Sequence, residues 1–108
     1  MILLTTEACP GRTIERVIGL VRGNTVRARH AGKDVTAWLK NFVGGEVEEY
    51  TKLLAEAREQ ALDRLIAEAR SRGADAVLGL RFTSSEITAG ASEIMAYGTA
   101  VKLAAETG

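Results

Sequence analysis

Gly44-Gly45-Glu46-Val47-Glu48-Glu49-Tyr50 opens the stretch whose reading decides the fold. The glycine pair interrupts whatever precedes it. Three glutamates then fall in a first helical turn, where carboxylates suit the positive end of the helix dipole. From Glu46 to Arg72 apolar residues recur at spacings of three and four: Val47, Tyr50, Leu54, Ala57, Ala61, Leu65 and Ala69, widened by Leu53, Leu62 and Ile66. Arg70 and Arg72 sit in the last turn, and Gly73 is placed as a left-handed C-cap before Ala74-Asp75-Ala76-Val77. At roughly 1.5 Å per residue the predicted helix is about 40 Å long, more than a small three-stranded sheet would cover.

The flanks supply that sheet. Residues 2–5 read as a short strand, followed by a turn around Ala8-Cys9-Pro10-Gly11. Residues 13–22 are rich in β-branched side chains and read as a strand closed by Gly23-Asn24. Thr25 to His30 reads as a further extended piece or loop. Asp34 is a fitting N-cap for a short helix to Val43, with Val35, Trp38, Leu39 and Phe42 on one side. After Gly73 two strands are predicted, 76–84 and 92–103, joined by a polar loop, 85–91. Thr83, Ser84, Ser85 and Thr88 read as turn chemistry around that hairpin.

Both faces of the strands carry apolar residues. The last has Ile94, Ala96, Gly98 and Ala100 on one side and Met95, Tyr97, Thr99, Val101 and Leu103 on the other. The first has Ile14, Ile18 and Leu20 against Val17, Gly19 and Val21. One helix shields one face of a sheet, so the other needs a second cover, and self-association is the economical one.

The 108 residues make one domain, and a composition of 46% hydrophobic and 26% charged residues is that of a soluble globular protein. Fourteen basic and fourteen acidic side chains cancel, so no global field draws the chain to nucleic acid. The basic segment Arg22, Arg27, Arg29, His30, Lys33 has no interleaved aromatics and reads as a solvated loop. The lone Cys9 has no internal disulfide partner and points to a reducing compartment. Met1-Ile2-Leu3-Leu4 lacks a basic region before it, and no apolar run is long enough for a membrane span, so a cytoplasmic protein is expected.

Several segments in order resemble the YbjQ-like family, small bacterial and archaeal proteins that carry a heavy-metal-binding label. They are Gly44-Gly45-Glu46 with Tyr50, Ala57-Arg58 with Ala61, Gly73-Ala74-Asp75-Ala76-Val77, and Glu93-Ile94 with Tyr97-Gly98-Thr99-Ala100-Val101. The resemblance implies an α+β fold, a dodecin-like β-α-β-β two-layer sandwich with one long helix on a small antiparallel sheet. The short helix and the N-terminal strand would be additions to it. It also implies a homo-oligomeric ring of five subunits and no assigned enzyme activity.

Three functional readings follow. In the first, an oligomeric module binds a small ligand or ion at subunit boundaries, with Glu46, Tyr50, Arg58, Glu93 and Tyr97 as candidates. Arg58, if buried, needs a carboxylate such as Glu93 or Glu46, and Tyr97 with Thr99 would line a pocket between helix and sheet. In the second, a divalent or heavy-metal ion is the cofactor. Soft metals take three or four Cys and His ligands, and this chain offers Cys9 and His30, with Glu7 or Asp34 to be recruited. In the third, carboxylates or Tyr97 perform acid–base chemistry in a cleft between subunits. No nucleophile elbow, P-loop or dinucleotide fingerprint is present.

Overall fold

The structure, a computed structural model, describes residues 1–28, 46–88 and 91–105; the side chains of 27, 28, 46–51, 87, 88 and 91 are not among those described. Its elements are β1 (Ile2–Leu3), β2 (Ile14–Ala28), α1 (Glu46–Ser71), β3 (Ala76–Thr88) and β4 (Ala91–Leu103). The strands form one sheet in the order β1-β3-β4-β2. β2, β4 and β3 are antiparallel neighbours, and β1 adds a parallel edge beside β3. The fold is α+β, as the sequence predicts, but the sheet is mixed, and β1 is shorter than the predicted 2–5. The helix predicted from Asp34 to Val43 and the Gly44-Gly45 pair lie outside the described residues.

The strands run longer than predicted, for physical reasons visible at particular residues. Gly23-Asn24 does not close β2, which continues to Ala28. Gly23 sits in the strand because α1 presses on it there. A Cβ at this position would collide with the carbonyl oxygen of Ala61, the amide nitrogen of Leu65 and the carbonyl carbon of Arg64. Thr83, Ser84, Ser85 and Thr88 are likewise ladder residues of β3 and not turn residues. With 13 residues in both β3 and β4, the sheet extends roughly 43 Å. The 26-residue helix is about 39 Å long, comparable to the strands it packs on.

Helix and sheet meet through small residues. Ala57, Ala61, Leu65 and Ala69 are fully buried, four positions apart along α1, against Val21, Val77, Ile94, Ala96 and Ala100. Leu54 and Ile66 flank this stripe, while Leu53 stands exposed. Gly73 adopts φ +78° and ends the helix as expected. The predicted alternation holds on β4 but not on β2. Register shifts between Ile14 and Arg16 and between Val17 and Gly19 change the parity, so Ile18 and Val21 both pack toward α1 while Val17 and Leu20 face away. A second cluster lies on the opposite face, where Leu4 and Cys9 of the N-terminal arm cover Ala76, Leu78, Val101 and Leu103.

The outer edge of β2 is capped by side chains of α1 that share one stripe of the helix. Arg72 donates to the carbonyls of Leu20 (2.8 Å) and Ile18 (3.2 Å), and Arg64 donates to that of Asn24. Between them Glu68 lies 3.5 Å from the Arg22 amide and 3.7 Å from the Arg72 guanidinium. An open strand edge invites pairing with another chain, and here the helix occupies it. The Arg64→Ala, Arg72→Ala double variant is expected to lose about 2 kcal/mol, discounted for the exposure of both groups. It should also aggregate sooner on heating. Urea unfolding and turbidity on a temperature ramp would check this; unchanged values in both would mean that the edge needs no cap.

Candidate functional site

Strand alternation sorts the side chains of β4. Ile94, Ala96 and Ala100 are buried toward α1, which turns Glu93, Met95, Tyr97 and Thr99 to the other face. The ladders set their neighbours. Tyr97 lies between Arg22 and Arg81, Met95 between Asn24 and Thr83, and Glu93 between Val26 and Ser85. The N-terminal arm covers the far end of this face through Leu4 and Cys9, and these three rows lie beyond that cluster.

Two hydrogen bonds order the polar groups. Asn24 Nδ2 donates to Glu93 Oε2 at 2.8 Å, diagonally across the ladder. Arg81 Nη1 donates to the Thr5 carbonyl at 2.8 Å and to its neighbour's, Leu80, at 2.9 Å, tying the arm to the sheet. Arg81 reaches this face because β3 carries a bulge. Gly79 takes φ +61°, between the paired residues Leu78 and Arg81, and shifts the residues from Arg81 to Glu86 by one face. Around this polar centre β2 exposes Val17, Leu20 and Val26, at 63%, 57% and 55%.

The predicted residues separate into groups. Tyr97 and Glu93 share this face, four residues apart. Tyr97 and Thr99 therefore do not line a pocket between helix and sheet, as the sequence had suggested, because their strand turns them away from α1. Arg58 is exposed on α1, and the described partner of Glu93 is Asn24, so the Arg58–Glu93 pair is not formed within the chain. Glu46 and Tyr50 lie in the first turns of α1, with side chains outside the described set, and His30 lies outside the described residues. Cys9 is buried among apolar side chains. Arg22 lies in β2, as the strand predicted over 13–22 has it, and Arg27 lies in the same strand, so this part of the basic segment is not the solvated loop it suggested.

Sequence reasoning missed Arg22, Asn24 and Arg81 as a group. A signal was available. Arg22 follows Leu20-Val21, and Arg81 stands between Leu80 and Phe82, so each is a charge that interrupts an apolar run. What placed them in one row was the bulge at Gly79, which alternation alone does not reveal.

A separate cavity of about 540 Å³ lies at the end of the sheet near the C-terminus, lined by residues including Ile2, Arg12, Glu15, Asp75 and Lys102. None of the candidate residues lines it. Its charges serve the framework. Asp75 accepts from the Leu103 amide at 2.8 Å and lies 3.7 Å from Lys102 Nζ, while its backbone bonds to Ile2 and Val101. That knot accounts for an aspartate at the start of β3 without a ligand. Among the described residues no three His, Cys, Asp or Glu side chains gather as metal ligands, and no helix is long and apolar enough to cross a membrane.

A family model described as "Putative heavy-metal-binding" (YbjQ) matches residues 1–104. A UPF0145 protein of Archaeoglobus fulgidus is 57% identical over 103 residues, 95% of either chain. Those of Methanoculleus marisnigri and Psychromonas ingrahamii are each 56% identical, over 95% of this chain and 96% and 98% of theirs. A crystal structure of a protein of unknown function in the DUF74 family, from Pediococcus pentosaceus, superposes with a TM-score of 0.64 at 15% identity, over 96% of this chain and 98% of that one. At that identity the likeness shows the fold alone.

Proposed function

The chain belongs to the YbjQ-like family, and on that footing we propose that it is a non-enzymatic self-assembling module, a ring of identical subunits that holds a small ligand or ion where they meet. The observation that carries the reading is a pair of unlike apolar surfaces on opposite sides of the protomer. One is the column Val17, Leu20 and Val26 on the face of β2 turned away from the helix. The other includes Phe82, 45% exposed, which pairs with Ala96 and so lies on the helix side of β3. Apolar side chains left this exposed are ones that a second copy would cover. Two unlike patches favour head-to-tail contacts, which close into rings, over the single self-matching patch of a two-fold dimer.

Such packing seats the helix side of one subunit near the open sheet face of the next. It would bring Arg58 of one copy toward Glu93 and Tyr97 of another, residues that one protomer keeps on different surfaces. The family resemblance sets the expected ring at five. Size-exclusion chromatography with light scattering should return five times the 11.5 kDa protomer mass. Val17→Glu with Leu20→Glu should return the protomer mass with an unchanged far-ultraviolet spectrum. A folded wild-type monomer at micromolar concentration would end the proposal.

The family description favours a second reading, a heavy-metal site. The described residues of one protomer do not fit such a centre, since the Cys9 thiol is packed against Leu4, Ala76, Leu78, Val101 and Leu103. The reading would need His30 and ligands from several copies around a ring axis. Titration with zinc or copper, monitored by elemental analysis of the washed protein, tests it. Stoichiometric retention lost in a Cys9→Ala, His30→Ala variant supports the site, and no retention by the wild type removes it.

A further inference from the structure

Most of the sheet's edge is closed, and one run of it is left open. β1 and the arm behind it occupy β3 as far as Leu80, whose amide donates to the Leu4 carbonyl at 2.9 Å, and Arg81 Nη1 then takes the Thr5 and Leu80 carbonyls. On the far side of the sheet Arg64, Glu68 and Arg72 close β2 from Ile18 to Asn24. Because the Leu80 amide points outward, alternation turns the backbone groups of Phe82, Ser84 and Glu86 outward too, while Thr83 and Ser85 turn theirs to β4. Those outward N–H and C=O groups take no partner among the described residues, and every residue from Arg81 to Glu86 is exposed. α1 packs on β2 and β4 rather than over this stretch. No proline or lysine blunts it, the usual devices for protecting a strand edge.

We infer that Phe82 to Glu86 is a docking edge for a second copy of this chain, which adds the same stretch of its own β3 antiparallel, across a two-fold axis at Ser84. The occupant follows from what a second copy can offer. An edge pairs with free backbone groups. With β2 capped from Ile18 to Asn24 and β1 only 2 residues long, the longest uncapped strand edge among the described residues is this same run. Parity then selects the register. Outward residues meet outward residues in the hydrogen-bonded positions of an antiparallel ladder, so the axis passes through Phe82, Ser84 or Glu86. At Phe82 the partner strand would run into the arm bonded to Leu80. At Glu86 two carboxylates would oppose each other, which destabilises a ladder. Through Ser84, Phe82 meets Glu86 of the second copy, Thr83 meets its Ser85, and about six backbone bonds form. The ladder is bounded by the bulge at Gly79 on one side and by the register shift after Glu86 on the other, where the strand bends away. So short a ladder lies below the area of a stable interface and is a weak contact, made at high protein concentration. It does not rest on the ring.

Disulfide trapping of full-chain variants tests the register, and it reads the contact whether or not the ring forms. Across the axis the two Ser84 Cα atoms stand about 5.5 Å apart, within the span of a disulfide. Ser84→Cys should therefore oxidise to a covalent dimer about tenfold faster than Thr83→Cys or Ser85→Cys, whose counterparts are displaced along the ladder to roughly 8 Å. An equimolar mixture of the latter two should give the mixed dimer over either self-dimer. The wild type, whose Cys9 is buried, should give none. Ser84→Pro removes an outward N–H where an edge strand tolerates proline, so its circular dichroism and melting should match the wild type. In the Val17→Glu, Leu20→Glu background, sedimentation equilibrium from about 10 µM to about 1 mM should show the mass rising from one 11.5 kDa protomer toward two. Adding Ser84→Pro should hold it at one. A mass that stays at one protomer without the proline, or Ser84→Cys trapping no faster than its neighbours, would overturn the contact. So would a mixed dimer of Ser84→Cys with Val26→Cys in place of the Ser84 self-dimer, which would give the edge to β2 of a neighbouring copy. A wild type that is monomeric at micromolar concentration and still traps through Ser84→Cys would refute the ring and leave the edge in place.

Discussion

Gly23→Ala is expected to destabilise the fold by about 3 kcal/mol, the upper end for overpacking. The atoms that a Cβ would strike are backbone atoms of Ala61, Arg64 and Leu65 in the middle of α1. Side chains can rotate away from an added methyl, but a helix backbone cannot. Relief needs the helix to lift from β2 over several turns. That would also pull Arg64 and Arg72 off the strand carbonyls they cap. Urea unfolding monitored by circular dichroism measures the loss, as a fall in midpoint at unchanged slope. A variant as stable as the wild type would mean that α1 stands further from β2 than described.

That contact also explains where the sequence was readable and where it was not. The helix was legible because Leu54, Ala57, Ala61, Leu65 and Ala69 repeat at the helical period, and each of the last four is fully buried. The faces of β4 were legible because its alternation from Glu93 to Leu103 is unbroken. Strand ends were not. Gly23 in a strand looks the same as Gly23 in a turn until the helix above it is placed, and the polar run Thr83-Ser84-Ser85 resembles a loop although it is paired with β4. The open-face cluster was half legible. Tyr97 and Glu93 stood out on β4, but Arg22 and Arg81 join them through ladder register and the bulge at Gly79, which are properties of pairing between distant segments. The three residues that cap the edge of β2, Arg64, Glu68 and Arg72, looked like ordinary charges of a solvated helix face.

Leu65→Ala should be the costliest truncation in the core, about 4 kcal/mol, near the top of the range for buried leucine. Leu65 heads the largest fully buried side chains, ahead of Val21, Val77 and Val101, and its neighbours on the sheet-facing stripe of α1 are Ala57, Ala61 and Ala69. In most cores a truncated leucine is partly compensated as the surroundings settle into the space. Here settling is blocked. The helix backbone already touches Gly23, so α1 cannot approach β2 to close the gap, and alanines one turn away have no side chain to swing in. The cavity therefore stays open and the full loss is felt. The same contact that makes an added methyl at Gly23 intolerable makes a lost side chain at Leu65 irreparable. Urea unfolding of Leu65→Ala and Leu65→Met distinguishes this from a simple loss of apolar area. Methionine, close in volume, should cost less than about 1.5 kcal/mol. If alanine cost no more than about 2 kcal/mol, the helix would have moved inward, and the spacing of helix and sheet would not be set at Gly23.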